Sequence, residues 1–372
     1  MKKLVLFLGI IIIMACCWSC SPKSKNETKP TTPPTAIPTA QPAASPTMAP
    51  EENDNTDEGE GMDDMEQYYI YTANENDSSV SVIDMKTMEV TQSIGVGKNP
   101  HNVQATPDGM HVFVVESGNN SVSSIDTATN KIVNTISTGE YPSHIIFSPD
   151  SKFAYVSVAE MAEDSEAMEG MEENGNVYVI DLDENKVVTK IEVGLMPHGL
   201  RMTPDNKLIY VANNDSDNIS IIDVATNKVT QTIDVGAKPV QVASTQDGKY
   251  VFVTLSEDNS VAVIDTATLE VIKTIPVGEK PIQIYATPDS KFVYTANEDS
   301  NNVSVIDVAS LSVLNYIPTG EGAHGVVISK DSKYAFVTNT DGDSVSMIDI
   351  EANTVMETIS VGKGPNGITI VE

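Results

Sequence analysis

Tyr210-Val-Ala-Asn213, Ile219-Ser-Ile-Ile-Asp-Val224, Lys228-Val-Thr-Gln-Thr-Ile-Asp-Val235 and Val240-Gln-Val-Ala-Ser-Thr245 follow one another with little but turn residues between them. In these runs apolar and polar side chains alternate with a period near two. On a pleated strand that spacing sorts them onto opposite faces, whereas on a helix it would scatter them around the axis. Valine, isoleucine and threonine dominate the runs, and Asn, Asp and Gly fill the gaps, as strands and tight turns require. The stretch predicts four short strands in succession.

Working outward, the same pattern recurs along the chain. An Ile-Asp pair closes one strand of each copy, at Asp84, Asp126, Asp181, Asp223, Asp265, Asp307 and Asp349, with spacings of 42, 55, 42, 42, 42 and 42 residues. A second marker, the aspartate of Thr-Pro-Asp-like turns, falls at Asp108, Asp150, Asp205, Asp247, Asp289 and Asp331 with the same single irregularity. One copy therefore holds an insertion of 13 residues, and seven copies with that insertion span 307 residues, the length of 66–372. Four strands per copy, repeated seven times, predict an all-β fold: a seven-bladed β-propeller of four-stranded blades. The first copy opens on a second strand at Tyr69 and the last run, Asn366 to Val371, is a first strand. The ring is thus expected to close by the C-terminal strand completing the N-terminal blade, which leaves no long open edge.

Tyr71-Thr-Ala-Asn74, Tyr210-Val-Ala-Asn213, Tyr294-Thr-Ala-Asn297 and Phe336-Val-Thr-Asn339, each followed by an Ile-Asp strand and a Gly-x-x-Pro or related turn, resemble the YVTN repeat family of seven-bladed β-propellers. The resemblance covers the whole of 66–372, with degenerate copies at Phe113-Val-Val-Glu116, Tyr155-Val-Ser-Val158 and Phe252-Val-Thr-Leu255. It implies a bacterial surface or periplasmic protein, and it implies no activity, because the repeated motif is structural. Function has to be argued from a site.

The N-terminus bears on location. Met1-Lys2-Lys3 precedes an apolar run from Leu4 to Met14, too short to span a bilayer as a helix, and reads as a signal peptide over 1–15. Ile13-Met14-Ala15-Cys16 resembles the bacterial lipobox, which implies that Cys16 is lipidated and anchors an exported chain to a membrane, facing the cell exterior or the periplasm. Residues 16–65 then read as a tether. The stretch 21–50 holds eight prolines and six threonines, and 51–66 adds nine acids. Such a segment reaches from ~40 Å as a coil to ~140 Å extended.

Composition removes several classes. Lys and Arg number 22 against 53 Asp and Glu, a net charge of −31, so recognition of nucleic acid through phosphate neutralisation is not expected. The three cysteines are Cys16, Cys17 and Cys20, so no disulfide, thiolate metal site or cysteine nucleophile is available beyond residue 20. The chain has no Gly-x-Ser-x-Gly elbow, phosphate loop or His-Glu-x-x-His motif, and the expectation leans away from an enzyme.

A site is sought where the copies depart from one another. The position after the Gly-x-x-Pro turn reads His101, Ser143, His198, Val240, Ile282, His324 and Asn366, with His144 one step later in the third copy. His101, His198 and His324, with Asn366, are candidates for a ligand or a Cu or Zn ion at the channel mouth. Three residues further on stands Arg201, the single arginine, whose planar fork suits a ligand carboxylate or phosphate as well as a neighbouring acid. The insertion, about 160–173, holds seven acids with Met161, Met168 and Met171, and thioethers are ligands for soft Cu(I). The expected function is a membrane-tethered, non-catalytic module for a protein partner or surface ligand. Small-ligand or metal binding at the channel mouth is the alternative, and a hydrolase or oxidoreductase there the third reading.

Overall fold

The structure, a computed structural model, describes residues 68–160 and 174–372. Cys16, the tether and Met161, Met168 and Met171 lie outside them. The described residues form seven four-stranded antiparallel sheets and almost no helix. Each sheet is one blade. Blade 4 shows the common plan: an inner strand Pro197–Met202, then Leu208–Asn213, Asn218–Asp223 and an outer strand Lys228–Asp234. The inner strands of blades 2 to 7 are Pro100–Ala105, Pro142–Phe147, Pro197–Met202, Pro239–Ser244, Pro281–Ala286 and Ala323–Ile328, and neighbouring inner strands touch around the ring. Blade 1 takes its inner strand from the far end of the sequence. Pro365–Val371 pairs with Tyr69–Asn74, with Tyr69 opposite Val371 and Tyr71 opposite Thr369. The ring closes as the strand order of the repeat requires.

The core is divided into seven clusters, one between each adjacent pair of blades. Tyr210, Ile219 and Ile221 of blade 4 pack on Val242, Val253 and Ile264 of blade 5, and the other interfaces repeat the arrangement. This is why the middle strands need apolar residues on both faces, while the outer strands alternate between exposed and half-buried positions.

The repeat markers are structural. All seven Ile-Asp carboxylates accept a backbone N–H from the turn that follows, as Asp223 Oδ1 does from Thr226 N at 2.8 Å and Asp349 Oδ1 from Ala352 N at 2.7 Å. The asparagine ending Tyr-x-x-Asn is fully buried in its blade. Asn213 Nδ2 donates to Asn218 Oδ1 and Ser220 Oγ, both at 2.8 Å. A Cβ on Gly194, in the turn leading to the inner strand, would meet the Asn213 side chain at 2.7 Å, so a glycine is needed there.

Two features of that turn aim side chains into the channel. The residue before each inner strand has a positive φ, at Asn99, Tyr141, Met196, Lys238, Lys280, Gly322 and Gly364. In blades 2 to 7 the pairing register then slips just inside the strand, as between Pro142 and Ile145. Such a bulge interrupts the strict alternation of faces.

Candidate metal centre

At the end of the ring where the inner strands begin, blades 2, 3 and 4 bring three imidazoles together. His101 follows Pro100, His198 follows Pro197, and His144 stands second after Pro142. One ligand nitrogen from each lies within 4.8 Å of the other two. His101 Nε2 and His198 Nε2 are 3.2 Å apart, and the His144 ring centroid is 5.4 Å from that of His101 and 4.5 Å from that of His198. Nitrogens held by one tetrahedral ion at about 2.0–2.1 Å are themselves about 3.3 Å apart. One pair already has that spacing, and the third nitrogen lies within 4.8 Å of both.

The sequence places His144 one step after the aligned position, and it is not among the candidates read from the repeat; on a regular strand, neighbouring positions face opposite ways. The bulge between Pro142 and Ile145 removes that rule locally. The only signal available was the doubled departure, Ser143-His144, from the repeat.

The hydrogen bonds around the cluster assign its protons. His198 Nδ1 donates to Val240 O at 3.1 Å, which leaves its Nε2 lone pair facing His101. Asn366 Nδ2, from blade 1, donates to Glu75 Oε2 at 2.8 Å and to His101 Nδ1 at 3.2 Å, which puts the His101 proton on Nε2, toward His198. His144 Nδ1 meets Ser143 Oγ at 3.1 Å, and its Nε2 is buried with no partner. Ser157, on the second strand of blade 3, donates to His198 O and accepts from His144 N at 3.0 Å. One hydroxyl therefore sets the spacing of two of the three histidine backbones.

Burial keeps two of these rings neutral. His144 is 3% exposed and desolvation holds its pKa well below the usual value; desolvation, with His101 nearby, brings His198 down to about 3. Neutral imidazoles present lone pairs to a metal. Glu75, 3.8 Å from His101 Nδ1, has a lowered pKa through its contact with His101. It is placed to take the Nδ1 proton once His101 Nε2 gives its lone pair to an ion, a common second contact for a ligating histidine.

His324 lines the same cavity from blade 7, 9% exposed and with Nδ1 unpartnered, but is not one of the three close nitrogens. The cavity has a volume of about 370 Å³, with Tyr141, Pro142, Met196, Val240 and Ile282 among its walls. Arg201 is elsewhere. Three residues along the inner strand from His198, about 10 Å away, it stacks over the Tyr285 ring and lines a second cavity at the opposite mouth.

Fold and site together define a seven-bladed β-propeller with a histidine cluster at one mouth of its channel. The chain belongs to the YNCE-like beta-propeller family, whose model matches residues 65–372. No curated protein matches it. Among solved structures it is similar to Kuenenia stuttgartiensis hydrazine synthase, 24% identical over 75% of this chain and 91% of that one with a TM-score of 0.67. It is also similar to a functionally unknown protein from Desulfotomaculum acetoxidans, 17% identical over 82% and 99% with a TM-score of 0.70. At these identities the likeness is one of fold.

Proposed function

We propose that this propeller binds a transition-metal ion, copper or zinc, through His101, His144 and His198. The observation that carries the reading is the convergence of nitrogens from three imidazoles within 4.8 Å, with His144 Nε2 buried and unpartnered. A buried nitrogen left without a partner costs about 1–3 kcal/mol, and ligating a metal ion through its lone pair removes that cost. Imidazole ligands suit zinc and copper. The export and lipid anchoring expected from Met1–Cys16 would set the site outside the cytoplasm. Three protein ligands leave a coordination position free, and the cavity of about 370 Å³ opens beside it. That opening favours, as a second reading, a hydrolase or oxidoreductase using the bound metal. The protein-docking and adhesion reading rests on the tether and the regular scaffold, with no side-chain geometry of its own.

Thermal unfolding of the metal-stripped full chain with added Cu²⁺ or Zn²⁺ tests the proposal. An ion at a hundredfold over its Kd adds about 2.7 kcal/mol and raises the midpoint visibly. His144→Ala is expected to abolish the rise, and an equal rise in that variant would overturn the assignment.

A further inference from the structure

Arg201 is the only arginine in a chain of 53 acids, and among the described residues its guanidinium has no carboxylate within 4.0 Å and no hydrogen-bond partner. Its guanidinium lies over the Tyr285 ring, Cζ 4.8 Å from the centroid. The ring holds the plane of the fork by cation–π contact and leaves its edge N–H groups to reach outward. It faces a cavity of about 500 Å³ at the mouth opposite the histidines, where the inner strands end. No acid lines that cavity. Phe147, Pro149 and Pro204 give it apolar walls, and Asn206 and Gln246 bring neutral amides.

The aspartates of the turns around this mouth are engaged locally. Thr203 Oγ1 donates to Asp205 Oδ1 at 2.7 Å and Ser148 Oγ to Asp150 Oδ1 at 2.7 Å, and Lys207 and Lys152 lie within 4.0 Å of those same carboxylates. The acidic surface therefore does not supply Arg201 with a counter-ion, and the rim is partly balanced.

We infer that the Arg201–Tyr285 cavity is a second binding site, taking a small organic carboxylate with an apolar or aromatic body. The fork receives the carboxylate through paired N–H donors, a geometry an ammonium does not offer. The walls take the body, and the volume lies within the range of small-molecule sites. The metal centre lies toward the other end of the same channel, whose interior His144 and Arg201 both line.

Benzoate and phenylacetate, with inorganic phosphate and benzylamine as comparisons, are titrated calorimetrically into the full chain. Binding of an aryl carboxylate is expected, with phosphate and benzylamine at least tenfold weaker. Arg201→Gln is expected to weaken benzoate about tenfold or more, Arg201→Lys to fall between, and His144→Ala to leave it unchanged. Circular dichroism establishes that each variant folds, and Arg201→Lys serves if Arg201→Gln does not. The inference is overturned if no aryl carboxylate binds below about 10 mM, if phosphate binds as well as benzoate, or if affinity survives loss of the guanidinium.

Discussion

His198 opens onto the channel cavity and is nevertheless held neutral, its pKa pushed down to about 3 by desolvation and by His101. The sign of the resulting pH effect follows from linkage. Between the unfolded value near 6.5 and the folded value near 3, the unfolded chain takes up a proton that the folded chain refuses, so stability falls as the pH drops through that window. Urea unfolding at pH 7 and pH 4.5, with chelator present, is expected to show a smaller loss for His198→Gln than for the parent chain. An equal loss would mean that this ring carries none of the acid sensitivity. At this scale the sequence was only partly readable. His101, His198, His324 and Asn366 were visible as departures from the repeat, and the structure sets all four near one mouth of the channel. His144 was visible too, one step out of line, but its direction depends on a bulge that leaves no mark in hydrophobic periodicity. Arg201 stood out by being unique, yet whether an acid would meet it depends on packing across blades.

The strand–turn unit shows the opposite balance. Its markers are repeated because each solves the same local problem wherever it recurs. The buried asparagine at the end of the second strand ties that strand to the third and packs under the glycine turn, as Asn213 does with Asn218, Ser220 and Gly194. Blade 2 replaces it with Glu116, and the bonds are rebuilt around a carboxylate: Ser121 Oγ and Gly97 N donate to its two oxygens at 2.6 and 2.8 Å. Asn213→Ala would strip a partner from buried Ser220 and from half-buried Asn218. The expected cost is about 1–3 kcal/mol in denaturant unfolding, and a change below a few tenths would show the bonds to be dispensable. Strand number, strand order and the place of the insertion, between Phe153–Val158 and Asn176–Asp181, follow from spacing alone. The left-handed turn residue ahead of each inner strand does not, since it is Asn, Tyr, Met, Lys or Gly by turns.

For the whole ring, the pairing of Tyr69–Asn74 with Pro365–Val371 matters most. Ile368 is buried at the interface of blades 7 and 1, and Tyr71 is buried opposite Thr369. Removing residues 365–372 would leave the Tyr69–Asn74 strand with an unpaired edge and open a core layer on either side of blade 1. Such a chain is expected to lose its single cooperative transition and to associate on size-exclusion chromatography. A truncated chain that stayed monomeric and kept the parent midpoint would show that the six remaining blades suffice.

The clasp also imposes an order in time. About 300 residues separate Tyr69 from its partner Val371, so the Tyr69–Asn74 strand waits for Pro365–Val371 before its blade is complete. Blades 2 to 7 are each continuous in sequence and can assemble one after another as the chain emerges. Throughout that interval Tyr69–Asn74 offers an adhesive edge, and the strand order of the repeat withholds its partner until the six intervening blades have been made.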